Sequence, residues 1–194
     1  MASHVALLRG INVGGRNKVP MAELREVVAS LGHTGVSTYI QSGNVLFSTG
    51  ETDAGKLAAA LEAAISEWFG LWASVVVLSR DELAQILAGN PYRDEPNPRL
   101  VHVVFLNAEP PGDVLDRIAA AQEAAAAKGS RDTVQAAGRV LYLHTPDGFG
   151  TSELAQVLLS RILTPPQKQK KQALAATARN WATATKLLSL CEEK

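Results

Sequence analysis

The sequence predicts an α/β (α+β) fold made of two copies of one βαββαβ unit, and three observations predict it. The string "HVALL" at 4–8 returns as "HVVFL" at 102–106. "IQSGNVLFST" at 40–49 returns as "VQAAGRVLYLHT" at 134–145, with two inserted residues. Helix signals fall at matching places in both halves, at 20–32 and 111–128 and again at 53–69 and 151–162. Strand, helix, hairpin, helix and strand in this order make the split-βαβ or ferredoxin-like unit, with an antiparallel or mixed sheet. A chain of 194 residues has room for two such units, since domains commonly hold about 100 residues. The expected division is a first unit over 1–90, a linker over 91–97 and a second, degenerate unit over 98–194 that ends in a helix.

Each element has its own signal. Residues 3–9, "SHVALLR", read as a strand. Pro20 sits where the first helical position would be, which tolerates its missing N–H. Met21, Leu24, Val27, Val28 and Leu31 then recur at helical spacing, and Gly32 is the stop. "VSTYIQ" and "NVLFST" flank Ser42-Gly43 as a hairpin. A helix from Asp53 carries Leu57, Leu61, Ile65 and Trp68 on one face and ends at Gly70. "WASVVVL" is a fourth strand, and Ser79 with Glu82 forms a capping box for a short helix bearing Leu83, Ile86 and Leu87. Gly89, Pro91, Pro96 and Pro98 then break the chain. At the far end "ATARNWATATKLL" repeats the pattern of extended piece, cap and amphipathic helix, with Asn180 as the cap. Leu24, Val28, Leu57, Leu61, Leu83, Phe105, Ile118, Leu158 and Leu187 are the expected core.

Composition narrows the function. Lys plus Arg and Asp plus Glu balance at 19 each, so no global field draws the chain to nucleic acid or to an anionic membrane. The single cysteine, Cys191, excludes an internal disulfide and a Cys-based zinc cluster and fits a reducing cytoplasm. No apolar run reaches the roughly 20 residues of a membrane span, and "MASHVALLRG" lacks the basic start and small-residue cleavage site of a signal peptide. No cofactor is expected. RNA binding in the manner of an RRM is not expected either: "HVALLRG" has no aromatic residue and "NVLFST" has only Phe47.

The segments "ALLRGINVGGRNKVPMAELR", "TYIQSGNVLF", "PDGFGTSEL" and "TARNWATATKLLSL" together resemble the bacterial family called domain of unknown function 1697, in order from about residue 4 to residue 190. The resemblance implies a two-part α/β protein with ferredoxin-like halves, and it implies no activity. In one place this chain departs from the family. Thr151-Ser152-Glu153 stands where the family usually has basic residues around the serine of "GxGxSKL", and this reversal of charge argues against an anion site there.

Three places carry candidate site residues. The first is the Gly-rich loop over 10–18. Gly10 to Gly15 satisfies G-x-x-x-x-G, but Arg16 and Asn17 replace the Lys and Ser or Thr of a P-loop. What is left is glycine geometry, a helix N-terminus and the cations Arg9, Arg16 and Lys18, a setting for a small phosphate- or carboxylate-bearing ligand. Arg9, Asn12, Gly14, Gly15 and Lys18 are its candidate contacts. A tight crossover with solvated cations and a partner-protein contact are the other readings. The second place is the hairpin, where Gln41 and Asn44 offer amides either to a ligand or to the turn itself. The third is Arg179, a cation ahead of a helix N-terminus, where it does not help the dipole. His4, His33, His102 and His144 show no metal-ligand spacing, and no metal is expected. His102 and His144 begin and end strands that should be neighbours, so they could meet on the face that carries Tyr142. Lys168–Lys171 make a basic run that is either a solvated loop or a patch for nucleic acid. A non-catalytic scaffold or partner-binding module is the standing alternative to the anion site. Neither a reaction nor an oligomeric state follows from the sequence.

Overall fold

The computed structural model describes residues 1–14, 17–164 and 174–193. Its strands and helices run in the order β1 (His4–Arg9), α1 (Met21–Ser30), β2 (Thr34–Tyr39), β3 (Asn44–Ser48), α2 (Ala54–Phe69), β4 (Ser74–Ser79), α3 (Arg80–Ala88), β5 (Val101–Leu106), α4 (Gly112–Ala127), β6 (Thr133–Ala137), β7 (Val140–His144), α5 (Glu153–Val157), β8 (Ala176–Asn180) and α6 (Trp181–Glu192). A 3₁₀ turn over Phe149–Thr151 precedes α5, and a π-helical turn over Leu158–Ile162 extends it.

The strands form two four-stranded sheets ordered β2-β3-β1-β4 and β6-β7-β5-β8, with every pairing antiparallel. Adding four to each number of the first sheet yields the second, so the duplication predicted from the repeated strings is present in the topology. The compact units are Met1–Ala88 with Thr185–Lys194, and Gly89–Ala184. The Pro-rich connector thus counts with the second unit, and the C-terminal residues with the first. The N-terminus meets that C-terminal stretch, where Ala2 N donates to Cys191 O at 3.1 Å.

Helix ends follow local chemistry. Asp53 accepts from Gly55 N and Lys56 N and starts α2, which Gly70 ends in the left-handed region at φ 66°. Ser79 Oγ accepts from Glu82 N, and Asn180 Oδ1 from Thr183 N, so the equivalent strand-to-helix junctions share one capping device. Pro20 is the N-cap of α1, in an extended conformation, rather than its first helical residue.

In the first unit α1 and α2 cover one sheet face, packing Leu24, Val27, Val28, Leu57, Leu61 and Ile65 on Ala6, Leu8, Val45, Phe47, Val75 and Val77. In the second, α4 and α5 do the same over Val104, Leu106, Leu141 and Leu143. All nine expected core residues are buried. Trp68 is the exception to the predicted apolar stripe. It is 55% exposed and its Nε1 donates to Glu23 Oε2. The stripe at spacing four continues from Ile65 to Phe69, which packs against the core instead.

Register refines the repeat. His4 pairs with Phe47 and Ser79, and His102 pairs with Leu143 and Asn180, so these two histidines are equivalent. Val45 is then equivalent to Leu141, one residue away from the match of Val45 with Val140 that the strings suggest. The turns explain the offset: four residues, 40–43, separate Tyr39 from its partner Asn44, whereas two, 138–139, separate Ala137 from Val140. Because side chains alternate between faces, one residue of offset exchanges the faces.

Leu61 is 1% exposed in the middle of the α2 contact. Leu61→Ala should lower unfolding free energy in a denaturant titration by about 2–5 kcal/mol, the range for a buried leucine that leaves a cavity.

Candidate functional site

The loop from Gly10 to Val19 lies at the end of the first sheet where β1 finishes and β3 and β4 begin. It is closed on itself. Asn12 N donates to Asn17 O at 3.0 Å, and Asn17 Nδ2 donates to Gly10 O at 2.8 Å. Asn12 Oδ1 accepts from Val19 N at 2.8 Å, while its Nδ2 donates to Val19 O at 2.9 Å and to Gln41 O at 3.0 Å. One side chain therefore joins both ends of the loop and ties it to the β2–β3 hairpin. Ile11 and Val19, each 2% exposed, plug the loop into the core. Both asparagines hold left-handed backbone, with φ 53° at Asn12 and φ 50° at Asn17, a conformation asparagine tolerates better than most residues.

Gly43 locks the hairpin against the loop. A Cβ there would lie 2.8 Å from both Ile11 Cδ1 and Leu8 Cβ, at φ 78°. Asn44 is fully buried, and its Nδ2 donates to Tyr39 O and Ser42 Oγ. The structure thus assigns to the fold of the loop and turn the amide hydrogens of Asn12 and Asn44 that the sequence offered to a ligand. Gln41 takes part through its main-chain carbonyl. Gly14 is exposed at φ 58°, with open space where a side chain would be. Gly15 and Arg16 lie outside the described residues. Lys18 is exposed and has no ion-pair partner among the described residues. Arg9 is half-buried, and burial pulls its guanidinium pKa below the ordinary value. It pairs with Ser74 and so lies on the same side as Val5 and Leu7, opposite α1 and α2.

Two features at this end had no signal in the sequence. Ile40 has φ 50°, a strained conformation for a β-branched side chain, and is 50% exposed. Val13 is 68% exposed. The strain follows from how tightly Asn12, Gly43 and Asn44 fix the residues around Ile40.

Arg179 belongs to the second unit. It lies on β8 opposite Val103, is 8% exposed, and donates to Thr177 Oγ1 at 2.7 Å and Ala178 O at 2.8 Å. Burial lowers its pKa to about 10. The register makes Val5, flanked by Leu46 and Leu78, equivalent to Val103, flanked by Tyr142 and Arg179. The second copy thus holds a buried arginine and a buried tyrosine where the first holds two leucines.

His102 and His144 do not meet. His102 pairs with Leu143 and His144 with Val101, which places the two imidazoles on opposite faces of the sheet. His102 is on the helix-covered face, stacked on Phe149 with 3.8 Å between ring centroids, and burial lowers its pKa to about 4. His144 shares the other face with Tyr142, and its Nε2 lies 2.8 Å from Glu95 Oε2. Ser152 caps α5 by accepting from Ala155 N and donates to Asp132 Oδ2 at 2.7 Å, while Glu153 pairs with Lys128. The acidic "TSE" segment is accounted for by these contacts. Lys168–Lys171 lie outside the described residues. Among the described residues no group of three or more His, Cys, Asp or Glu is placed to hold a metal ion, and no helix is long and apolar enough to cross a membrane.

Two antiparallel ferredoxin-like sheets of identical strand order, one of them carrying a self-closed Gly-rich loop, define a duplicated α+β protein. The chain belongs to the family described as protein of unknown function (DUF1697), whose model matches residues 1–142. Among solved structures it is similar to the conserved bacterial protein SP0830 from Streptococcus pneumoniae, at 24% identity, with 98% of each chain covered and a TM-score of 0.63. That likeness is one of fold. Comparison with the curated proteins gave no match.

The interlock of Gly43 with Ile11 predicts that Gly43→Ala destabilises the protein by about 1–3 kcal/mol in denaturant unfolding, through overpacking and positive φ. For His102, the folded pKa of about 4 lies below the ordinary 6.5, so the unfolded chain binds the extra proton between these values. Stability is therefore complete above pH 6.5 and falls on acidification towards pH 4, by on the order of 3 kcal/mol. His4 and His33, also lowered, add the same sign. The stability–pH curve of His102→Leu should be correspondingly flatter over that range.

Proposed function

We propose that the loop over 10–19 binds a small anion bearing a phosphate or carboxylate group, with Lys18 and Arg9 as cationic partners and the main chain around Gly14 as amide donors. The observation that carries this reading is the closure of the loop by Asn12 and Asn17, which holds Gly14 and Lys18 exposed without using either in the closure. Loop ends already joined before binding lose little ordering entropy when a ligand arrives. Charge-assisted hydrogen bonds then supply the affinity. The helix dipole adds less, because Glu23 already stands in the first turn of α1.

A second reading, a non-catalytic partner-binding module, has its own support in Val13 and Ile40, both exposed at this end. Nucleic-acid binding through Lys168–Lys171 has no comparable support.

Calorimetric titration with inorganic phosphate, a sugar phosphate and a small carboxylate tests the first reading. Lys18→Ala or Arg9→Ala should weaken whichever anion binds by about one to two orders of magnitude, the worth of one charge-assisted bond. Lys18→Ala should leave the melting temperature without ligand unchanged. Absence of saturable binding by all three anions would favour the partner-binding module.

A further inference from the structure

The connector that follows α3 is folded into a strap. Asn90 Oδ1 accepts from Tyr92 N at 2.9 Å, Glu95 N donates to Tyr92 O at 3.1 Å, and Asn97 Oδ1 accepts from Arg99 N at 3.1 Å. The far end is anchored where Thr145 N donates to Leu100 O at 2.8 Å. Between these points the strap is fastened to β7 by one side chain. His144 Nε2 meets Glu95 Oε2 at 2.8 Å, and the His144 ring stacks on Tyr92 at 5.2 Å. Glu95 uses its other oxygen, Oε1, to accept from Asn97 N at 3.0 Å. The Asn97 N–H and the imidazole together hold its carboxyl below the usual carboxylate range.

The same segment carries an opposing cost. Asn90, 2% exposed, has a buried Nδ2 without a hydrogen-bond partner among the described residues, and so does the buried hydroxyl of Tyr92. Both groups would regain hydrogen bonds to water if the strap lifted. Seating the strap thus gains a paired carboxylate and a ring stack, and it strands two donors. Segments held by such offsetting contributions are the ones that open locally at low cost.

We infer that residues 90–98 form a releasable strap, clasped to β7 by Glu95 and His144 and opened by loss of that clasp while both sheets stay folded. Opening would free His144 Nε2 from Glu95 and bare the Tyr92 hydroxyl, two hydrogen-bonding groups that the seated strap occupies or buries.

Limited tryptic digestion of the full chain tests this, because Arg93 is exposed on the strap and Arg99 is exposed just past its end. Cleavage after each is followed by mass spectrometry, with cleavage after Arg131, outside the strap, as the internal reference. Glu95→Ala, and His144→Phe, which keeps a ring for Tyr92 to stack on, should each speed cleavage after Arg93 at least tenfold relative to Arg131. The double variant should be no faster than the faster single one, since both remove one contact. Tyr92→Phe should slow cleavage, because it deletes a stranded hydroxyl and keeps the stack. The strap is overturned if the two clasp variants cleave like the parent, if they speed Arg131 equally, if their effects add, or if Tyr92→Phe opens the segment.

Discussion

Pairing of a central strand on both edges, β1 between β3 and β4 and β5 between β7 and β8, is the constraint from which the rest of each unit follows. A central strand is held by a ladder on each edge, so its register decides which side chains face the helices. In the first unit that register brings the end of β1 level with the beginnings of β3 and β4. The Gly10–Val19 loop, the β2–β3 turn and the approach to β4 are thereby gathered at one end. The register also places Gln41 O within reach of the Asn12 amide, which ties the closed loop to the β2–β3 turn.

The two copies act as a control for one another. Equivalent positions show which features the fold requires and which are additions. The strand-to-helix caps at Ser79 and Asn180, and histidine at the start of both central strands, recur. The closed Gly-rich loop belongs to the first copy, where ten residues join β1 to the α1 cap. In the second copy four residues, Asn107–Pro110, make the equivalent join to the α4 cap Pro111. The buried Arg179 and Tyr142 belong to the second copy, in place of Leu78 and Leu46. Burying a guanidinium where leucine would fit is costly, and the fold itself does not ask for it. Departures from the common frame are where a duplicated protein keeps what packing alone does not explain.

Much of the frame was legible from residue patterns. Spacing of three and four marked Leu24, Val28, Leu57 and Leu61, and Gly32 and Gly70 marked the ends of helices that the structure also ends there. Trp68 was misread because an aromatic next to an apolar stripe looks like part of it, whereas strict spacing of four selects Phe69. His102 and His144 were misread for a different reason. Their separation depended on a register that differs by one residue from the string match, and turn length, not composition, sets it. That the side chains of Asn12 and Asn44 fasten the loop and the turn was not legible, since an asparagine that binds a ligand and one that fastens a turn have the same local sequence. The Glu95–His144 clasp joins residues 49 positions apart, and no local signal announces it.

If the loop is a preformed anion cradle, its main chain should report the anion directly. Amide chemical shifts of the full chain, followed through a titration with inorganic phosphate at constant ionic strength, measure this. Saturable shifts confined to Gly10–Val19 and the 40–43 turn, with the equivalent 107–110 and 138–139 segments unmoved, are the predicted result. Shifts that never saturate, or that spread equally over both copies, would contradict it and leave the loop as a structural crossover.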